Sequence, residues 1–400
     1  MNDFDPKDFV EKQTKAIKKA VGGERALIAV SGGVDSTACA VLTHRAMGEN
    51  LLCVILDTSF MREGEPEKVA HLLSQPPLNL PMKVVDAAER FLKEMKGLRD
   101  AEEKRKKFRE TFYRVLSETA KKENCRFLVQ GTIQADIIET RGGVKTQHNV
   151  LAQIGISPKE LYGFQVIEPV VSLYKGDVRK VARYLNVPEE LSERQPFPGP
   201  GLSVRVVGEI KKDKLEALKK ATTIAEQEFA KHNPSQYFAA IIDNLETAPD
   251  HFFVHIQEAA TRFLTVPKRY LHVKVFEDKA TGVEGGKRRY GEIAAITAKT
   301  SEGQIHQAPV KDLVTIQTKI ITENPQFTRI LYTIKEASKK QPYVISLRAI
   351  QTSDFLTAEV SQIPWATLYE TAEKILEACP NVSSVCYDVT PKPPATIEME

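Results

Sequence analysis

The stretch Ala26-Leu27-Ile28-Ala29-Val30-Ser31-Gly32-Gly33-Val34-Asp35-Ser36 decides the fold class of this 400-residue chain. Its apolar first five residues are typical of a buried strand. The two glycines allow backbone N–H groups to approach an anion closely, and Ser31 and Ser36 add hydroxyl donors. A helix-like sequence follows, whose N-terminus adds partial positive charge. We therefore predict a strand, a phosphate-binding loop at 31–36 and a helix, since an ordinary turn needs neither the glycine pair nor the flanking hydroxyls.

The loop at 31–36 lacks the GxxxxGK[ST] pattern of the Walker A loop. It resembles instead the PP-loop of the ATP pyrophosphatases, which split ATP between its α and β phosphates and leave an adenylylated substrate. By this resemblance the loop binds ATP and pyrophosphate through Ser31, Gly32, Gly33, Val34, Asp35 and Ser36.

Composition indicates a globular cytoplasmic protein of two or three domains. The net charge of +3 is too small to argue for nucleic acid, and no apolar run approaches the length of a membrane span. The five cysteines form no CxxC pair, which is typical of free thiols in a reducing compartment.

Strands and helices alternate through the first half of the chain. Apolar runs predict strands that end at Asp57, Asp86, Gly131 and Pro169. Such alternation indicates an α/β domain with a parallel sheet, in which ligands bind at the carboxyl ends of the strands. Three prolines and two glycines within 194–201 break regular structure. We take them as the boundary between an ATP-pyrophosphatase domain, 1–200, and a second domain, 201–400, although a rigid linker has the same composition.

The second domain is predicted to be α+β. We expect helices at Lys211–His232 and Pro234–Asp243, and leave 244–285 unassigned. Similar strand, helix and strand patterns at 286–335 and 341–390 predict a duplicated β-α-β lobe, with chance similarity as the alternative because identities are few.

Cleavage of ATP calls for metal ligands and cations around the loop. Asp35 is a candidate Mg²⁺ carboxylate, and Asp136 is either a second one or a helix N-cap. Lys145 and His148 lie in a glycine-containing stretch that either closes over polyphosphate or is a solvated loop. Lys175 opens a helix, where a cation favours an anionic partner.

The chain ends in Lys392-Pro393-Pro394-Ala395-Thr396-Ile397-Glu398-Met399-Glu400. A flexible tail is the default for a terminus. The two prolines between a cation and Thr-x-Glu also suit a rigid, hook-shaped segment that binds a nucleotide.

Taken together, these features resemble the synthetase part of the GMP synthases. The stretches that carry the resemblance fall in order along nearly the whole chain: 31–36, 130–132, 145–150, 168–169, 175–179, 194–202, 282–290, 346–349, 387–388 and 392–398. The resemblance implies a PP-loop domain of the adenine nucleotide alpha hydrolase-like fold.

The resemblance also implies the reaction, a step of purine biosynthesis. XMP, ATP and ammonia give GMP, AMP and pyrophosphate through an adenylyl-XMP intermediate. It implies catalytic residues Asp35, Lys145, His148 and Lys175, a Mg²⁺ site at Asp35 and Asp136, and further ATP contacts at Leu56, Gly131 and Thr132. It assigns XMP binding to Arg105, Pro198, Gly199, Pro200, Arg288, Lys392, Thr396, Ile397 and Glu398.

Four positions depart from the family pattern. Asp57-Thr58-Ser59 stands where the family has Asp-Asn-Gly, and Gln147 replaces a lid histidine. Gly286 replaces an aspartate, and Met399 replaces a tryptophan.

The source of ammonia is the largest gap in this prediction. Only about 30 residues precede the loop, too few for an amidotransferase domain, so we expect free ammonia or a separate glutaminase subunit. Relatives with one copy of the C-terminal lobe dimerise, and a doubled lobe could satisfy that pairing within one chain, so homodimerisation stays open. Two alternatives remain: a PP-loop enzyme that modifies tRNA, and a non-catalytic nucleotide-binding paralogue.

Overall fold

The structure is a computed structural model that describes residues 4–134, 136–137, 158–192, 195, 197–247, 251–353 and 356–400. It consists of two compact units. Unit 1 comprises Met1–Glu94 and Lys106–Pro200, and unit 2 comprises Met95–Arg105 and Gly201–Glu400. Within the described residues, no helix is long and apolar enough to cross a membrane.

Unit 1 contains a five-stranded parallel sheet with helices around it. Its strands are β1 (Arg25–Ala29), β2 (Leu51–Asp57), β3 (Met82–Asp86), β4 (Cys125–Val129) and β5 (Gln165–Ile167). Helices that begin in this half of the chain are α1 (Pro6–Val21), α2 (Val34–Met47), α3 (Glu65–Ser74), α4 (Ala88–Met95), α5 (Ala101–Lys122), α6 (Pro158–Tyr162), α7 (Lys175–Tyr184) and α8 (Glu189–Ser192).

The strand order in this sheet is β3-β2-β1-β4-β5, and every pairing is parallel. Ala26, Leu27 and Ile28 of the central strand β1 are fully buried, as the apolar run predicts. Because β1 lies between β2 and β4, its carboxyl end, where the loop at 31–36 begins, is at the middle of the sheet edge. The predicted α/β architecture with a parallel sheet is confirmed.

Unit 2 is built on a seven-stranded mixed sheet. Its strands are β6 (Gln236–Asp243), β7 (Leu271–Glu284), β8 (Lys287–Ala298), β9 (Phe327–Glu336), β10 (Tyr343–Gln351), β11 (Glu359–Val360) and β12 (Val382–Asp388). Its helices are α9 (Lys212–Phe229), α10 (His251–Leu264), α11 (Val310–Glu323) and α12 (Trp365–Ala378).

Two β-α-β units related by a local two-fold axis form the centre of this sheet. One is β8-α11-β9 and the other β10-α12-β12, and the strands within each unit are parallel. The units meet where β9 and β12 pair antiparallel, with Tyr332 directly opposite its counterpart Tyr387. Both helices begin after a proline, Pro309 or Pro364. The duplicated β-α-β lobe predicted from the sequence is therefore present in the fold.

The predicted helix over Pro234–Asp243 is wrong. This stretch contains β6, which pairs antiparallel with β10 from Gln236 to Asp243. Phe238 to Ile242 are all buried, so the continuous apolar run reflects a strand covered on both faces rather than one face of a helix. The unassigned segment after it contains α10 and most of β7.

Candidate functional site: the phosphate loop and the C-terminal tail

The loop between β1 and α2 is tied together by its own serines. The Ser31 and Ser36 hydroxyls lie 3.1 Å apart, and the Ser36 hydroxyl donates to the Gly33 carbonyl at 3.1 Å. Helix α2 begins after Gly33 without a side-chain cap among the described residues. Its first N–H groups are therefore free to bind an anion, and Val34, at the first helical position, is buried.

The two loop glycines have different roles. Gly32 has a φ of +76°, a conformation that other residues adopt at a cost. Gly33 has a φ of −80°, and a Cβ there would meet only the Ser31 hydroxyl, at 3.4 Å. The backbone conformation therefore favours a glycine at Gly32. At Gly33 the conformation suits any residue, and glycine is useful only because it lets a ligand approach the backbone closely.

The end of β4 packs directly on this loop. A Cβ on Gly131 would lie 3.0 Å from the Asp35 carbonyl oxygen and 3.0 Å from the Ser36 Cα. Thr132 is fully buried, and Leu56, at the end of β2, is 6% exposed. The three predicted ATP residues thus lie at the ends of the two strands that flank β1. Leu56 lies at the end of β2, and Gly131 and Thr132 follow β4.

Asp35 and Lys175, two of the predicted catalytic residues, form an ion pair in which the Lys175 Nζ donates to Asp35 Oδ2. The other carboxylate oxygen, Asp35 Oδ1, is buried and has no hydrogen-bond partner among the described residues. A buried, unsatisfied carboxylate oxygen is costly without a partner and fits a divalent cation.

Asp136 accepts a hydrogen bond from the Ile133 N–H at 3.0 Å, so its carboxylate shapes the turn after β4. No group of three or more His, Cys, Asp or Glu side chains placed to hold a metal occurs in the part of the chain that the structure describes. The predicted lid residues Lys145 and His148 lie outside the described residues, as do Gln147, Arg194 and Pro196.

The proline-glycine stretch near the end of unit 1 contacts the chain after β2. The Arg62 guanidinium lies 4.2 Å from the centre of the Phe197 ring, a cation–π contact. The adjacent residues Pro198, Gly199 and Pro200, predicted to bind XMP, are all partly or fully accessible.

The C-terminal tail is docked rather than floppy. It runs along the outer edge of β7, where the Thr281 N–H donates to the Met399 carbonyl at 2.8 Å and the Val283 N–H to the Pro394 carbonyl at 2.7 Å. Met399 is fully buried in the core of unit 2. The tail thus covers an otherwise open sheet edge.

The carboxylate of Glu398, a predicted XMP residue, is held in place by neighbours within unit 2. Arg205 donates to both of its oxygens, at 2.8 and 3.0 Å, and the Gln236 amide donates at 3.2 Å. Arg205 is 1% exposed and stacks 4.0 Å from the centre of the Phe238 ring. Because the Glu398 side chain keeps 16% exposure, its carboxylate is fixed in orientation but still reachable.

Arg105 and Arg288, both predicted XMP residues, are close enough to repel each other. Burial, and then the charge of Arg288, lower the pKa of Arg105. Arg105 donates to the main-chain oxygen of Glu400. Arg288 forms an ion pair with Glu102 at 2.5 Å, and the Tyr290 hydroxyl donates to Glu102 at 3.4 Å. The charges of Glu102 and Glu398 act on Arg105 in the opposite direction. The two guanidinium groups are donors that suit an anion such as a phosphate.

The side chain of Glu400 is buried with a lysine. It pairs with Lys104, which is fully buried and also donates to the Val206 and Gly208 carbonyls at 2.8 and 2.9 Å. Burial raises the pKa of the Glu400 carboxyl to about 6, opposed by the charge of Lys104.

Three departures from the family pattern have a structural account. Ser59 has a φ of +67°, so the glycine of the family pattern would suit its position. Gly286, with a φ of +76°, lies in the tight turn between β7 and β8. Met399 fills the buried space in which the family pattern has a tryptophan.

The arginines that hold the tail have no role in the sequence-based prediction. Arg205, Arg329 and Arg348 are each at most 1% exposed. Each is the single charged residue in an apolar run. Such a charge is buried only when it is paired, so this pattern could have indicated that each arginine has a partner elsewhere in the chain.

Two family models match parts of this chain. The model described as NAD synthase matches residues 7–204, and that described as GMP synthase C terminal domain matches 333–399. A solved NMN synthetase from Francisella tularensis aligns with a TM-score of 0.39 and 19% identity over 50% of this chain and 79% of that chain.

Two relatives align along their whole length. A glutamine-hydrolyzing GMP synthase subunit from Sulfurisphaera tokodaii is 42% identical over 397 residues, 99% of this chain and 100% of that protein. The protein of the same name from Methanopyrus kandleri is 38% identical over 404 residues, again 99% and 100% of the two chains. Because the identity extends over the whole of both chains, this chain belongs to the same family of GMP synthase subunits.

Proposed function

We propose that this chain converts XMP to GMP with ATP and ammonia, releasing AMP and pyrophosphate. As a member of its family it is an ATP-using carbon–nitrogen ligase. The observation that carries the proposal is a phosphate loop at the middle of a parallel sheet, in a chain related over its full length to GMP synthase subunits. The helix after this loop has no side-chain cap among the described residues.

The ATP half of the reaction belongs to unit 1. The XMP C2 oxygen attacks the α-phosphorus, and pyrophosphate leaves. The N–H groups at the start of α2 hold the departing pyrophosphate, and the serine hydroxyls of the loop add donors. When pyrophosphate binds, Lys175 can turn from Asp35 to the phosphates, because its side chain is 44% exposed. We assign Gly131, Thr132 and Leu56 to the walls of the ATP site.

We assign a Mg²⁺ ion to Asp35, whose buried Oδ1 has no hydrogen-bond partner among the described residues, with Asp136 as a second ligand. The ion would neutralise charge on the polyphosphate. In this proposal Lys145 and His148 complete the catalytic set.

The XMP half belongs largely to unit 2. Arg105, Arg288 and Lys392 supply cations for the 5′-phosphate. The Glu398 carboxylate, oriented by Arg205, accepts hydrogen bonds from the N–H groups of the base. Within unit 2, Thr396 and Ile397 of the tail are further assigned contacts. Pro198, Gly199 and Pro200 remain XMP residues by the family resemblance alone.

We further propose that ammonia comes from a separate glutaminase subunit. The full-length relatives are named as one subunit of a glutamine-hydrolyzing enzyme, which implies a second polypeptide in those proteins. All five cysteines of this chain are buried and free. Burial raises the pKa of Cys386 to about 11, and none of the five has the exposure that a nucleophilic thiolate needs. The chain alone should therefore make GMP with ammonium and none with glutamine; glutamine-dependent GMP from the pure chain would contradict the proposal.

An isotope experiment tests the adenylyl intermediate. If the XMP oxygen attacks phosphorus and ammonia then displaces AMP from C2, the C2 oxygen ends in the phosphate of AMP. XMP labelled with ¹⁸O at C2 should therefore give labelled AMP by mass spectrometry. Unlabelled AMP, with the label lost to water, would rule out this route.

A further inference from the structure

Two buried arginines and one aspartate contact the tail from within unit 2. Asp388 Oδ2 accepts from Arg329 at 2.8 Å and from Arg348 at 2.7 Å. All three side chains are fully buried. Two positive charges and one negative charge leave a net charge of +1 in the core, which needs further acceptors.

The tail supplies several of these acceptors. Outside the tail, the Thr281 carbonyl accepts from Arg329 at 3.4 Å and the Thr390 carbonyl from Arg348 at 2.8 Å. One Arg329 nitrogen donates to the carbonyls of Thr396 at 2.8 Å and Glu398 at 2.5 Å, and to the Thr396 hydroxyl at 3.0 Å. Arg348 donates to the same Thr396 carbonyl at 3.1 Å. The loop at 395–399 therefore wraps around the Arg329 guanidinium, and its ends are held by β7.

The three residues come from both halves of the duplicated lobe. Arg329 lies on β9 of the first unit, while Arg348 and Asp388 lie on β10 and β12 of the second. With Tyr332 and Tyr387 as equivalents, the position equivalent to Arg329 in the second unit is Ser384, which carries no charge. The second β-α-β unit therefore does not repeat the arginine at this position. The cluster of Arg329, Arg348 and Asp388 takes residues from both units.

We propose that Arg329, Arg348 and Asp388 form a clamp whose role is to position the tail for XMP, so that they act on the reaction as positioning residues without touching substrate. The clamp fixes the backbone on each side of Ile397, and with it the place from which Ile397 and Glu398 reach the nucleotide. This inference rests on the proposed function, since it assigns the tail to XMP.

The test uses Asp388→Asn, which removes the charge that both arginines share while keeping the side-chain shape. The control is Leu347→Ala, next to Arg348 on β10 but on the opposite face of the strand and fully buried. It should lower thermal stability without touching the clamp. Hydrogen exchange by mass spectrometry on the full chain should show faster exchange at 395–400 in Asp388→Asn but not in Leu347→Ala.

The kinetic arm separates positioning from stability. Asp388→Asn should raise the KM for XMP about tenfold or more with the KM for ATP unchanged, whereas Leu347→Ala should change neither. Arg348→Lys keeps the charge with fewer donors and should fold even if Asp388→Asn does not. It should raise the KM for XMP by less than Asp388→Asn does.

An unchanged KM for XMP in both clamp variants, or an equal rise in Leu347→Ala, would overturn the clamp. Hydrogen exchange is measured without substrate. It therefore tests whether the clamp holds the tail, independently of whether the chain acts on XMP. The proposed function fails instead if the parent chain releases no pyrophosphate in response to XMP.

Discussion

At the scale of single residues, Ser59 departs from the sterically favoured backbone. Its φ of +67° places a side chain where glycine is preferred, just after β2. Ser59→Gly should raise the free energy of unfolding by about 1 kcal/mol, measured by urea denaturation.

Ser74→Gly is the matched control for Ser59→Gly, because Ser74 is in helix α3. Because Ser74 is the last residue of α3 and has no positive φ, the substitution relieves no strain and should not raise the free energy of unfolding. Equal effects of the two substitutions would contradict the assignment of strain to Ser59.

The buried Glu400 makes stability depend on pH. Its pKa is raised from 4.5 to about 6, so between these values the folded chain binds more protons than the unfolded chain. This group therefore contributes stability that is lost as the pH rises through that window. The unfolding free energy of Glu400→Gln, which stays neutral, should rise relative to that of the parent as the pH increases from 4.5 to about 6. A difference that does not vary with pH would contradict this account.

The charged residues and glycines of the site can be identified in the sequence. Which charged side chains pair with each other cannot. Asp35 was predicted as a metal ligand from its position in the loop, yet its ion pair with Lys175 joins residues 140 positions apart. The contact between Arg205 and Glu398 spans 193 positions. Such pairs depend on tertiary packing, which local patterns do not encode.

At the scale of elements, the segment that follows β4 packs closely on the phosphate loop. A Cβ on Gly131 would press on the backbone of Asp35 and Ser36 at about 3.0 Å. Gly131→Ala should therefore cost about 1–3 kcal/mol in unfolding free energy and raise the KM for ATP.

Gly176→Ala is the control for the loop contact. Gly176 lies in α7 beside Lys175, and a Cβ there meets no described heavy atom within 4 Å. This variant should gain up to about 1 kcal/mol from helix propensity and keep its KM for ATP. A similar loss in both variants would show that the loop contact is not the cause.

Elements with a regular pattern were predictable, and those without one were not. The apolar run before Asp57 gave the bounds of β2, since a central parallel strand is apolar on both faces. The same kind of run within Pro234–Asp243 predicts a helix but forms β6, because periodicity alone does not distinguish a buried strand from a buried helix. The tail's pairing with β7 could not be predicted, because its prolines and loop hide any strand pattern.

At the scale of the whole molecule, the local two-fold axis bears on the oligomeric state. The antiparallel pairing of β9 with β12 brings two equivalent strands together within one chain. Two separate lobes could pair in the same way only by forming a dimer. We therefore expect light scattering to give the mass of one chain at micromolar concentration. A stable dimer held through residues 290–400 would contradict this expectation.

The most direct test of the central claim follows three products of one reaction. The purified chain is mixed with ATP, Mg²⁺ and ammonium, with and without XMP, and pyrophosphate, AMP and GMP are quantified. We predict that pyrophosphate appears only with XMP and that the three products form in equal amounts. Release of pyrophosphate without XMP, or its absence when XMP is present, would contradict the account.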